Sequence, residues 1–332
     1  MKKFTQMVLL LLIGIFATLN SKDIKEIKMM CEGGNIESCL DMGLKYYVGE
    51  GVEQDTSLAI RYFNIPCNAG DATGCYNLGI MYDLGIGGEE NVVKATEFYT
   101  KACHSGNAMA CYNLGLKYDK GEGVKQDVFE AVKYFALACK GGETSGCINL
   151  GYKYDRGEGL VQDYVKAIKF YTKACDAKDA MACYNLGLMH DTGEGVMKDT
   201  FKSVKYFTKA CNGGDAGGCL NLGYKYDRGE GAPQDYVKAL QLYTQACDGK
   251  DAIGCYNLGH MYAKGEGVKE DNFQAFKYFT KACGAGDTES CDVLGVMKEE
   301  VESVKEGLVE KVLEENNSNS NAYVELNIKS AL

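Results

Sequence analysis

Histidine is scarce in this chain of 332 residues, tryptophan is missing altogether, and Lys and Arg are outnumbered by Asp and Glu, 36 to 46. Three scattered imidazoles, His104, His190 and His260, cannot assemble the clustered ligands of a metalloenzyme. The nearest cysteines stand eight positions apart, which is not the close spacing of a zinc site. No metal is expected, and no cofactor. The net charge of −10 and the pI of about 5.0 come with no basic stripe or basic–aromatic groove, which argues against nucleic acid and anionic lipid as partners. No G-x-G-x-x-G or G-K-[ST] element follows a strand pattern, so phosphate-loop chemistry is excluded as well.

What is present suits a folded chain: 46% hydrophobic and 25% charged residues. The first twenty residues form a distinct segment. Lys2 and Lys3 precede an apolar run at 8–17, and polar residues follow. That is the layout of a secretory signal peptide, and the run is too short to span a bilayer comfortably. Cleavage is expected within about 17–21, leaving an exported mature chain, secreted or periplasmic, with no integral membrane segment. The first cysteine is Cys31, too far from the run for a lipid anchor.

Sixteen cysteines in a chain with an export signal are expected to be disulfides. They fall at 31/39, 67/75, 103/111, 139/147, 175/183, 211/219, 247/255 and 283/291, each pair displaced by 36 residues from the last. A fixed period of this length marks a solenoid of small supersecondary units. One unit, 111–146, reads CYNLGLKYDKGEGVKQDVFEAVKYFALACKGGETSG. Leu114, Gly115 and Tyr118 share one side of a first helix, and the paired glycines of KGEGV break it. Asp127 caps a second helix, as do Asp55, Asp163, Asp199, Asp235 and Asp271 in their units, with Asn91 substituting once. The second helix buries Ala131, Tyr134, Phe135 and Ala138. Gly115 and Ala131 are small where two helices approach closely. His190 replaces a core tyrosine, His104 sits in a corner loop and His260 follows Gly259, so all three read as packing or surface residues.

The repeats divide the chain into a signal peptide at 1–20, a partial unit at 21–38, seven helix pairs at 39–290, a capping region at 291–315 and a polar, mobile tail at 316–332. Val301, Val304, Leu308 and Val312 lie at helical spacing in the capping region. A longer period of 72 is also visible, since GYKYDRGEG occurs at 151–159 and 223–231, and CYNLGL at 111–116 and 183–188. Two disulfide connectivities are possible in such a stack. Bonding Cys75 to Cys103 and so on strands Cys31 and Cys291. The short pairing uses every cysteine: Cys31–Cys39, Cys67–Cys75, Cys103–Cys111, Cys139–Cys147, Cys175–Cys183, Cys211–Cys219, Cys247–Cys255 and Cys283–Cys291.

The unit resembles the tetratricopeptide signature W-x2-L-G-x2-Y followed by A-x3-F, which Leu114, Gly115, Tyr118, Ala131 and Phe135 match. Cys111 stands in the place of the tryptophan, so a cystine packs where an indole would. The GEG turn and the period of 36 are similar to the Sel-one-like repeat, and eight phased C-x7-C pairs narrow the resemblance to the Helicobacter cysteine-rich protein family, over about residues 22–295. GIGG at 85–88 is a departure, and the tail after Met297 matches nothing in the repeat. The resemblance implies an all-α, right-handed superhelix of antiparallel helix pairs with a disulfide at each inter-repeat corner.

It also implies function. Superhelices of this kind bind extended peptides or proteins on a concave face lined by first helices. Mapped here, that face comprises Tyr76, Tyr112, Tyr152, Tyr184, Tyr224 and Tyr256, then Asp83, Asp119, Asp155, Asp191 and Asp227 beside Lys120, Arg156, Arg228 and Lys264. Asn77, Asn113, Asn149, Asn185, Asn221 and Asn257 ladder along the same helices. They either hydrogen-bond a ligand backbone or satisfy neighbouring units. The family has been assigned host-facing roles and weak β-lactamase or penicillin-binding activity, which would make β-lactams or cell-wall-like small molecules partners. The residues supply no motif for that: no serine is followed three positions on by lysine, and neither S-D-N nor K-T-G occurs. The glutamates of the turn, Glu50, Glu122, Glu158, Glu194, Glu230 and Glu266, recur because the turn recurs, which argues against a unique acid–base pair. A structural envelope scaffold is the third reading.

Overall fold

A computed structural model describes residues 24–299, and the regular elements among them are all helices. The expected signal peptide and polar tail lie outside the described residues, as do Val301, Val304, Leu308 and Val312. The helices are α1 (Ile24–Glu32), α2 (Ile36–Val48), α3 (Thr56–Asn68), α4 (Ala72–Asp83), α5 (Val92–His104), α6 (Ala108–Lys120), α7 (Val128–Lys140), α8 (Thr144–Arg156), α9 (Tyr164–Asp176), α10 (Ala180–Thr192), α11 (Thr200–Asn212), α12 (Ala216–Arg228), α13 (Tyr236–Asp248), α14 (Ala252–Lys264) and α15 (Asn272–Gly284). A further helix, α16, runs from 288 to 299. The chain divides into two compact units between Lys198 and Asp199. The first holds α1 to α10 and the second α11 to α16.

Within each unit the boundaries follow from local chemistry. The Asp127 carboxylate accepts from the backbone N–H groups of Phe129 and Glu130 at 3.0 and 3.1 Å, starting α7 as the sequence indicates. The first helices are capped too, which the sequence reading missed: the Asn107 side chain accepts from the Ala110 N–H at 2.8 Å. Gly121 ends α6 in the left-handed region at φ 72°, where a side chain would be strained. Gly123, at φ 74°, also passes so close to α5 that a Cβ would lie 2.6 Å from the Val92 carbonyl oxygen.

Packing explains the small residues. A Cβ on Gly115 would stand 2.7 Å from the ring of Phe135, and the same glycine–aromatic contact recurs as Gly79 with Tyr99, Gly151 with Tyr171 and Gly223 with Tyr243. Ala131, Phe135 and Ala138 are fully buried, and Tyr134 nearly so. Tyr118 stacks on Tyr134 with ring centroids 5.4 Å apart, and Tyr154 on Phe170 at 5.6 Å. Such offset pairs contribute about 0.5–1.5 kcal/mol each beyond area burial.

The corners between repeats are cross-linked. Cys103, in α5, is joined to Cys111, in α6, and the other seven C-x7-C pairs are joined likewise, leaving no free cysteine. Both sulfurs of the Cys103–Cys111 bridge belong to buried residues. Each short closed loop removes about 2–3 kcal/mol of unfolded-state freedom in the chain-entropy picture. At the C-terminal end, Leu294 of α16 is buried against Ala275 and Phe279.

Candidate ligand-binding face

The first helices bring the expected tyrosines, acids and asparagines to related positions but do not leave them equally available. Tyr76 is only 2% exposed; its ring lies 6.1 Å from that of Tyr99, and burial, then the charge of Glu143, pushes its phenol up to about 12. Asn77 is buried as well. Tyr112 is half-buried on Phe135, 6.0 Å between centroids, and burial raises its phenol. These rings belong to the packing and do not offer a face to a ligand. Tyr184 and Asn185 are half-buried.

The asparagines serve the stack. Asn113 lies beside the hydroxyls of Tyr76 and Tyr99 in the preceding repeat, and Asn149 beside that of Tyr112. Asn149 and Asn221 also donate to the carbonyls of Ser145 and Gly217, four residues back, at 2.9 Å. In unit two, Leu220 stands where such a tyrosine would be, and Asn257 Nδ2 is buried without a hydrogen-bond partner.

Two aromatic–guanidinium pairs reach the surface, the first through ring and arginine, the second through its arginine beside a half-buried ring. Tyr152 is 39% exposed with the Arg156 guanidinium 5.0 Å over its ring. Arg228 covers Tyr224 in the same way at 5.5 Å, while the other edge of Tyr224 meets Tyr243 at 5.7 Å. Both arginines are exposed. At the last first helix, the Tyr256 hydroxyl donates to Glu289 Oε1 at 2.5 Å, and the ring of His260 sits edge-on at 4.5 Å. Burial, then the Glu289 hydrogen bond, holds that phenol up at about 12, and burial followed by Lys264 lowers the His260 imidazole. His190 is buried, and His104 is an exposed final residue of α5 rather than a loop residue.

The acids are where the sequence reading misses most. Asp83 is bound by Lys117 at 2.6 Å and Asp119 by Lys153 at 2.7 Å, each lysine 34 residues on. The same ammonium groups reach Glu122 at 3.1 Å and Glu158 at 2.9 Å. Burial would lower these lysines, but their carboxylate partners outweigh it and raise both. Asp119 is therefore spent inside the stack, and Lys117 and Lys153 do not face outward although they are lysines on a first helix. The constant 34-residue spacing of Asp and Lys was the available signal. Asp155 and Asp227 accept from the buried hydroxyls of Tyr171 and Tyr243, at 3.4 and 3.3 Å, as Asp83 does from Tyr99 at 3.4 Å, but among the described residues no lysine joins them. Asp191 is half-buried, and Lys120 and Lys264 are exposed. Among the described residues no group of acids, histidines and cysteines is placed to hold a metal ion, and no helix is long and apolar enough to cross a membrane.

The Sel1 repeat family model matches seven consecutive stretches, 36–71, 72–107, 108–143, 144–179, 180–215, 216–251 and 252–287. Among solved structures, a protective antigen with an SLR fold from uropathogenic Escherichia coli strains is similar at 30% identity and a TM-score of 0.79, over 82% of this chain. The present chain spans 59% of that protein's length. A Sel1 repeat protein from Oxalobacter formigenes is 28% identical with a TM-score of 0.69, covering 82% of this chain and 80% of that one. Helicobacter pylori cysteine rich protein B is 35% identical over 39% of this chain and 92% of its own, with a TM-score of 0.33. A search of curated proteins finds no match. Seven matched repeats, the helix-pair unit and the corner disulfides place this chain in the Sel1 repeat family.

Proposed function

We propose that this protein is an exported, disulfide-stapled module that binds peptide or protein segments through the faces of its first helices. The observation that carries this reading is the pair of aromatic–guanidinium stacks, Tyr152 with Arg156 and Tyr224 with Arg228, in which Tyr152 and both arginines are exposed and Tyr224 is half-buried. A rigid ring with a fixed cation beside it is the kind of anchor that dominates protein recognition. These four side chains are not consumed by the inter-repeat contacts that hold Tyr76, Asp83 and Asp119. Repeats of this class typically mediate protein–protein interaction, which supports the same reading.

Export is supported by the apolar segment at 8–17 together with eight cross-linked cysteine pairs, which persist in oxidising compartments. The Escherichia coli relative's description as a protective antigen fits a host-facing role for this chain too. Slow β-lactam hydrolysis, with β-lactams or cell-wall-like molecules as small-molecule partners, rests on family resemblance alone.

The test is selection of random displayed peptides on the oxidised mature protein and on a variant with Tyr152, Arg156, Tyr224 and Arg228 changed to alanine. Enriched peptides should bind the variant at least about tenfold more weakly, a difference of about 1.4 kcal/mol. No enrichment, or equal affinity for the variant, overturns the reading.

A further inference from the structure

The repeats differ at one buried position of the first helix, and the difference exposes a site. Six residues after the first-helix cysteine stands lysine in some repeats, Lys45, Lys117, Lys153 and Lys225, and methionine in others, Met81, Met189 and Met261. Where lysine is present its ammonium group is clamped by carboxylates. Lys117 lies between Asp83 of the preceding repeat and Glu122 of its own turn, and Lys153 between Asp119 and Glu158, all four distances falling from 2.6 to 3.1 Å.

The methionine repeats are of two kinds. At Met81 both acid positions are uncharged: Tyr47 stands in the preceding repeat and Ile86 in the turn. Cation and carboxylates are lost together there, as expected when neither is worth burying alone. At Met189 and Met261 the acids are kept. Asp155 and Glu194 flank the first of these positions in sequence, and Asp227 and Glu266 the second. Both methionines are buried and uncharged, so the chain retains the carboxylates without supplying the ammonium.

The surroundings of Asp155 fit a carboxylate that has lost its cation. Burial, then the nearby charge of Glu194, holds its carboxyl above the usual range. Arg156 opposes that shift, but its guanidinium lies over Tyr152 at 5.0 Å. The Tyr171 hydroxyl meets one carboxylate oxygen as the Tyr99 hydroxyl meets Asp83, so Asp155 keeps the surroundings of the lysine-bound acid without the lysine. In unit two, the Tyr243 hydroxyl and the Arg228–Tyr224 stack repeat the arrangement around Asp227. The pattern recurs after 72 residues, on the same two repeats that carry the aromatic–guanidinium stacks.

We propose that Asp155 with Glu194, and Asp227 with Glu266, are two receptor sites for a primary ammonium group, a lysine side chain or N-terminal amine of a bound segment, taking the place that Lys117 and Lys153 fill from within the chain. This rests on the binding role proposed above and gives it a ligand chemistry. The exposed Tyr152 ring and the half-buried Tyr224 ring stand three residues before Asp155 and Asp227, where they can cover the methylene stem of a lysine.

The first experiment fills the sites from within. Met189→Lys and Met261→Lys should fold with a melting temperature equal to or above that of the parent, because carboxylates await the new charge. Met81→Lys, facing Tyr47 and Ile86, should lower it clearly. Equal losses in all three overturn the proposal.

The second experiment uses a blocked peptide of alternating glycine and lysine as probe, its Nε-acetylated form, and a glycine–alanine peptide with a free N-terminus. The amine-bearing probes should bind the parent, acetylation should abolish binding, and the Met189→Lys/Met261→Lys variant should bind at least about tenfold more weakly. Binding by the lysine probe alone identifies a side-chain ligand, and binding by the free-terminus probe a terminal amine. A control variant neutralising the exposed Glu37, Glu53, Glu89 and Glu270 to glutamine should keep its affinity. If both variants weaken alike, attraction to net charge explains the binding and the proposal falls. Capture of displayed peptides without regard to amines sinks this inference and leaves the binding module standing. Capture of no peptide of any composition sinks the module and this ligand with it.

Discussion

The ammonium group of Lys117 lies 2.6 Å from the carboxylate of Asp83, a residue of the preceding repeat, and both side chains are largely shielded from water. The contact ties successive first helices, α4 and α6, which are separated in the chain by the whole of α5. It complements the corner disulfide, which joins α5 to α6. A covalent tie on one side and a charged tie on another hold these two repeats against each other.

Removing that lysine should be costly. Lys117→Met leaves Asp83 and Glu122 without their shared cation, and stability should fall by about 3 kcal/mol, the range for breaking a shielded pair. Adding Asp83→Asn should recover part of the loss, which a double-mutant cycle by chemical denaturation measures. Strict additivity of the two losses would remove the ion pair from the stabilising contacts.

The alkaline limb of stability follows from the raised groups. Lys117 and Lys153 are raised above the ordinary lysine value, and Tyr76 and Tyr99 above the ordinary phenol value, chiefly by burial for the tyrosines. All four bind their protons more tightly folded than unfolded, so their contribution is complete below the unfolded values and is lost as pH rises through the folded ones. The melting temperature should hold to about pH 9.5 and fall steeply past about 10 to 10.5, where unfolded tyrosine and lysine release protons. A melting temperature that is flat to pH 11.5 would contradict this.

Gly115→Ala tests the close helix approach. The added methyl group would stand 2.7 Å from the Phe135 ring in a packed interior, and the expected loss is about 1–3 kcal/mol. Phe135→Leu in the same chain should relieve the clash, so the double variant should lose less than the sum of the two single losses.

The corner disulfide is checked by peptide mapping without reduction, where Cys103 should appear linked to Cys111 and not to Cys75. Replacing both by alanine should lower stability by about 2–3 kcal/mol in the chain-entropy picture.

Turnover of a β-lactam by the oxidised mature protein separates a binder from an enzyme. As a binding module it should show none above a mock purification. Turnover that vanishes when Tyr152, Arg156, Tyr224 and Arg228 become alanine would make the first-helix face an active site.

Much of this molecule was readable because it is local. The period of 36, the Asp127 cap, the break at Gly121 and Gly123, the Gly115 contact and the C-x7-C spacing all operate within one repeat or between adjacent helices. A sequence determines such features directly, since a cap acts over three residues and a bridge over eight. What lay beyond it was which repeated side chains the stack uses and which it leaves open. Tyr76 and Tyr152 are both first-helix tyrosines, yet one is sealed under Met109 and Tyr99 and the other carries a guanidinium in solvent. Asp119 and Asp155 occupy equivalent positions, but a lysine arrives for the first and a methionine stands opposite the second. Those outcomes depend on what a neighbouring repeat brings across some 34 residues of chain, so only the tertiary structure decides them.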